Sequence, residues 1–207
     1  MRDIPGLHAV QIQELVLQGL ETELGGVKVY ETALRCVEDG DLRSEWQDYL
    51  TQTKRHVEVV QDLCRDLGID AGMETPGRAI VRAQGEAFVE AMQAALAKSD
   101  AKGAELVAAE CVVHAETKDH LNWSLMGVLA KNCEGDVAEA FKRAFDEVED
   151  EEDEHLYHTM GWTRELWLKS LGIPAAIPPP EERKDVRSMA GAARAKAQRR
   201  LYARKRG

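Results

Sequence analysis

Glu152 and His155 stand three residues apart, so a helix would carry this carboxylate and imidazole on one face. A looser copy of the layout lies upstream. Glu23 is followed seven residues later by Tyr30, and His56 comes in the next segment; Glu116 is followed seven residues later by Trp123, and then by the Glu152–His155 pair. Two helical hairpins built this way would each offer carboxylate and imidazole to a shared interior. That is the ligand chemistry of a dinuclear iron or manganese site.

The elements that must position these residues read as five helices. The first is predicted from about Leu7 to Glu38, with Ile12, Val16, Leu20, Glu23, Val27, Tyr30 and Leu34 recurring at helical spacing and Gly40 as its stop. The second is predicted to start between Asp41 and Ser44, where Ser44 to Gln47 has capping-box form, and to end at Gly68. Its inner stripe is Trp46, Tyr49, Thr53, His56, Val60, Leu63 and Leu67. Thr75-Pro76 opens a third helix that ends by Ser99, with Ile80, Ala83, Ala87, Phe88, Ala91 and Ala95 as its packing face. Asp100 caps a fourth, running to about Lys131, whose inner line is read as Leu106, Ala109, Val113, Glu116, His120, Trp123 and Gly127. The fifth spans about Gly135 to Leu171 and turns Phe141, Phe145, Val148, Glu152, His155, Thr159, Trp162 and Leu166 to one side. Beyond it, Pro178-Pro179-Pro180 is extended, and an Ala/Arg/Lys-rich segment from Val186 is a helix or a disordered arm. The organisation is a helical bundle over residues 1–173 followed by a proline-containing segment and basic tail over 174–207.

Composition agrees with an all-α class. Aromatic residues make up only 5% of the chain, and Ala, Leu, Glu, Lys, Arg and Gln dominate. No apolar run approaches the length of a membrane span. The N-terminus lacks the apolar core of a signal peptide, so a cytoplasmic protein with reduced thiols at Cys36, Cys64, Cys111 and Cys133 is expected. The net charge of −10 is uneven: residues 181–207 carry +7, which leaves −17 on the rest. Such a body repels nucleic acid, whereas the tail attracts anionic partners. Phosphate-binding glycine loops, nucleophile elbows and Cys-x-x-Cys zinc motifs are all missing from the sequence.

The helical stripes turn Glu23, His56, Glu116, Glu152 and His155 inward together. Several buried carboxylates without a cation are prohibitively unfavourable, so metal or protons must neutralise them. The acidic run from Glu147 to Glu154 otherwise reads as a solvated face, with Glu152 turned in and Glu149 or Glu151 the next candidate.

On these residues the chain, over about 7–171, resembles the ferritin-like superfamily of diiron-carboxylate four-helix bundles, here with one additional helix. The resemblance implies that Glu23 is the ligand of the first core helix, His56 the histidine of the second, Glu116 the ligand of the third and Glu152 with His155 the pair of the last. It implies two iron ions, or manganese, and dioxygen or peroxide as co-reactant with a reductant or organic substrate. The sequence departs from the pattern at Thr53, three residues before His56, where the family has Glu. Gln52 is a poor substitute. His120, one turn from Glu116, is the expected replacement, in an asymmetric and histidine-richer site of one or two ions.

The leading expectation is therefore a metal-dependent oxidoreductase, with a homodimer as its assembly. The alternative is a metal-poor scaffold or stress protein whose basic tail contacts an anionic partner. Iron storage in a cage is disfavoured by the extra helix, the C-terminal segment and Thr53. Metal content separates the first two, and particle size separates the third.

Overall fold

The computed structural model describes residues 7–179; the expectations for the third proline of the run and for the basic tail lie outside them. Five α-helices account for the described fold: α1 (Ala9–Cys36), α2 (Gly40–Leu67), α3 (Pro76–Lys98), α4 (Ala101–Asn132) and α5 (Gly135–Ser170). Side-chain caps fix three of the five helix starts. The Asp100 carboxylate accepts from the backbone N–H of Gly103, and the Thr75 hydroxyl accepts from that of Arg78, with Pro76 in the first turn. Gly68 ends α2 at φ 66°, a left-handed conformation that costs glycine nothing.

Two expectations are corrected here. Gly40 does not stop the first helix but opens the second: the Asp39 side chain caps the N–H groups of Asp41 and Leu42, so the turn is made one cap earlier than Ser44 suggested. In α3 the buried positions are Arg78, Val81, Met92 and Ala95, whereas Ile80 is exposed. A helix rich in alanine has no strong apolar face to read, and the arginine that anchors it is invisible to a hydrophobic pattern.

Helices α1, α2, α5 and α4 form a closed ring of neighbours, and α3 lies outside it against α1 and α4. Side-chain pairs fix the directions. Asn122 meets Thr22 while Glu105 reaches the backbone of Glu38, so α1 and α4 are antiparallel. Arg143 meets Asp66 while Trp162 meets Glu45, so α2 and α5 are also antiparallel. With α1 and α2 joined by a short turn, the order is up, down, down, up. α3 is the crossover that carries the chain back along the bundle, and Gly85 lies against Gly25 where it crosses α1.

The apolar core is split in two. One cluster gathers Val16, Leu20, Val60, Leu63, Trp123, Met126, Phe141 and Val148. The other gathers Tyr30, Val37, Leu42, Trp46, Tyr49, Val112, Trp162 and Leu166. Between them, at the same level on all four core helices, is a buried polar layer: Glu23 on α1, Thr53 and His56 on α2, Glu116, Asp119 and Asn122 on α4, and Glu152, His155 and Thr159 on α5. Among the described residues no helix is long and apolar enough to cross a membrane. All four cysteines are buried free thiols.

Candidate metal centre

Glu23, His56, Glu116, Glu152 and His155, singled out by sequence, are all in this layer and all nearly inaccessible. His56 Nδ1 is 3.0 Å from Glu152 Oε1 and 3.7 Å from Glu23 Oε1. His155 Nδ1 is 3.5 Å from the same Glu152 oxygen and 3.6 Å from Glu116 Oε2. Two sets of three donors each lie within 4.8 Å of one another: His56, Glu152 and His155, and Glu23, Asp119 and Glu152. Glu152 belongs to both.

The two imidazoles are oriented by their outer nitrogens. His56 Nε2 lies 2.8 Å from Glu151 Oε2, which Arg55 holds at 2.5 Å. His155 Nε2 lies 2.7 Å from Gln52 Oε1. An Nε2–H donated outward turns Nδ1 toward the carboxylates, the ring position through which a metal would bind once Nδ1 is unprotonated. Trp123 Nε1–H donates to Glu23 Oε1 at 2.8 Å and fixes that carboxylate from the apolar side.

The layer is polar beyond what its own hydrogen bonds satisfy. Glu23 Oε2, Glu116 Oε2, Asp119 Oδ1, both oxygens of Glu152 and the Nδ1 atoms of both histidines have no hydrogen-bond partner. Leaving such groups unsatisfied costs about 1–3 kcal/mol each. No arginine or lysine forms an ion pair with these four carboxylates among the described residues. Burial, with Asp119 and Glu152 nearby, pushes the Glu23 carboxyl well above its usual range. Burial, with Glu152 and Glu116, does the same to Asp119. Burial alone would also raise Glu152, but His155 and His56 outweigh it and hold that carboxyl at about 2. Burial disfavours the His155 cation, yet Glu116 and Glu152 raise it to about 10. Without metal, the centre thus holds protons on some carboxyls and on an imidazole.

Two positions differ from the sequence reading. His120 is not brought into the layer: it is partly exposed, with Nδ1 3.4 Å from Asp153 Oδ1 and its ring edge-on to Tyr157. The inner line of α4 runs Ala108, Val112, Glu116, Asp119, Trp123 and Met126, in steps of four or three, and it leaves position 120 to one side. Asp119 takes the place in the cluster. Its signal was in the sequence, since Glu116-x-x-Asp119 repeats the spacing of Glu152-x-x-His155 with a carboxylate for the imidazole. Thr53 contributes no ligand: its hydroxyl donates to the Tyr49 carbonyl at 2.9 Å, and its methyl faces Gly26, where a Cβ would approach to 3.2 Å. Tyr30 and Tyr49, both with partnerless hydroxyls, flank His155, with the Tyr49 ring 4.3 Å from the imidazole.

These residues fit a metal. Oxygen and imidazole donors converge from four helices, their lone pairs are unspent, and their second atoms are anchored. Such donors suit iron, manganese or zinc rather than the soft ions that thiolates select. No family model, characterised protein or solved structure matches this chain.

Proposed function

We propose that the chain is a ferritin-like carboxylate–histidine protein whose polar layer holds two divalent ions, iron or else manganese, for oxidation with dioxygen or peroxide. The observation that carries this reading is the convergence of five partnerless carboxylate oxygens and two partnerless ring nitrogens in one buried layer. The fold supports it, because an antiparallel four-helix core with one crossover connection is the ferritin-like arrangement.

One ion belongs with His56, Glu152 and His155, and Glu116 completes that set through its approach to His155. The other belongs with Glu23, Asp119 and Glu152. Glu152, common to both sets, would be shared between the two ions. Four carboxylates balance two divalent cations, so the loaded centre is close to neutral in an apolar surround. Asp119 would supply the carboxylate that Thr53 lacks, and the two donor sets differ in character, one containing both imidazoles and one made of carboxylates alone.

A bound redox-active ion supplies the electrons that reduce dioxygen or peroxide. The chain holds and orients. Glu151 and Gln52 hold the two rings by their Nε2 atoms so that each Nδ1 faces the carboxylates, Trp123 keeps Glu23 in place, and the apolar clusters on either side exclude bulk water. The test is an anaerobic Fe(II) titration followed by a pulse of oxygen. Saturable iron binding and oxygen consumption are expected in the parent protein and lost in His155→Ala. Bound iron with no oxygen uptake above the buffer rate would refute the oxidation reading while leaving metal binding intact.

A further inference from the structure

Metal must reach a layer whose ligand atoms are inaccessible, and a surface cleft among the described residues ends on a ligand. A cavity of about 230 Å³ opens between α4 and α5, and Glu152 lines it together with Trp123, Phe145, Glu149, Asp153 and His120. Both Glu152 oxygens lack hydrogen-bond partners, and the side chain is 1% exposed. The cleft therefore reaches an unspent buried carboxylate. The groove between α2 and α5, walled by Arg55 and Arg143, and the narrow groove among α1, α3 and α4 are lined by no residue of the cluster.

We infer that this α4–α5 cleft is a port for divalent cations, with Asp153, Glu149 and His120 as its receiving ligands and Glu152 as the acceptor at its inner end. The inference rests on the metal reading of the centre. Asp153 and His120 already face each other across the mouth at 3.4 Å, a carboxylate–imidazole pair of the type found inside. The lining carries Glu149, Glu152 and Asp153 against the single ammonium of Lys131, so the cleft attracts cations. A water takes up about 30 Å³ of liquid, so the space accommodates an ion with part of its hydration shell. The rings of Trp123 and Phe145 line the same cleft beside these polar groups. Phe145 packs over Gly127, where a Cβ would lie only 2.6 Å from the ring. Glu152, the buried carboxylate of this lining, would be the ligand that receives an ion from the cleft. His120, which the sequence suggested for the centre, here acts one step earlier.

The port affects the rate of loading and not the amount bound. Co(II) alone, mixed anaerobically with the metal-free full chain at low ionic strength and followed by its visible absorption, reads both. The double variant Glu149→Gln/Asp153→Asn should load about tenfold more slowly and reach the parent's final stoichiometry. Ser124→Phe, which narrows the cleft without changing its charge, should also slow loading. Glu58→Gln/Asp62→Asn, which removes two acids from the α2–α5 groove, should load at the parent's rate. Full loading of both port variants at the parent's rate would overturn the port and leave the centre standing. Absence of saturable Co(II) binding in the parent, unchanged by Glu152→Ala, would overturn the centre and the port with it.

Discussion

Glu21 and Glu23 sit two residues apart on α1, both buried, and the chain neutralises them in different ways. Glu21 accepts from Arg78 Nε at 2.7 Å and from Arg82 Nε at 2.8 Å. Burial alone would raise its carboxyl, but the two guanidinium groups hold it below the usual range. Arg78 also donates to the carbonyl oxygens of Ala71 and Met73, so one side chain ties α3, α1 and the preceding turn together. Glu23, facing the interior, meets three more carboxylates, the His56 imidazole and no arginine. A fold that answers one buried acid with two arginines has the means to answer the other likewise. Its donors there are instead left convergent and unspent, which is what separates a structural ion pair from a site prepared for an external cation.

The sharpest way to break this contrast is at Glu152, the residue common to both donor sets. Glu152→Ala should abolish high-affinity binding of both ions and leave the helical content unchanged, as read by metal titration beside circular dichroism. The mirror-image change is Arg78→Ala. It should destabilise the fold by about 3 kcal/mol in urea denaturation, at the low end for a broken buried pair because Arg82 remains, and leave metal stoichiometry untouched. If Arg78→Ala emptied the centre, the two clusters would not be independent. A smaller effect is expected from Gln52→Ala, which releases His155 Nε2: about tenfold weaker binding with the number of ions unchanged.

Acid should sharpen the contrast further. Glu21 has a depressed folded pKa, so its contribution is complete above the unfolded value and is lost as pH falls through the lower folded value. Glu23, Asp119 and His155 have raised folded values, so the metal-free fold binds more protons than the unfolded chain and gains stability as pH falls from neutral. Ligation needs those protons removed, so metal affinity should weaken over the same interval. Denaturation of the metal-free protein, run beside calorimetric metal titrations in buffers of differing ionisation enthalpy, checks both signs. Buffer-independent heats would deny the proton release.

The sequence made the ligands on strongly periodic helices legible. His56 lies on a stripe with Trp46, Tyr49 and Val60, and Glu152 and His155 on one with Val148 and Trp162, so their inward direction followed from spacing. The α4 face was less so, because its alanines and valines allow more than one helical line; the choice between Asp119 and His120 turned on a rotation that only packing against α1 and α5 decides. The crossover face of α3 and its Arg78 anchor were not legible at all, since a buried arginine runs against the hydrophobic pattern and its partner is 57 positions away. The five helices and their approximate bounds came from caps and punctuating residues, with Asp39 overlooked in favour of Ser44.

The central claim is that the polar layer is completed by metal, and the most direct measurement is elemental analysis of the untagged protein purified without chelator, with and without anaerobic reconstitution. The account predicts about two iron or manganese ions per chain, from four carboxylates that two divalent cations neutralise, and none in Glu152→Ala. A chain that folds normally and binds no metal under either condition would contradict it.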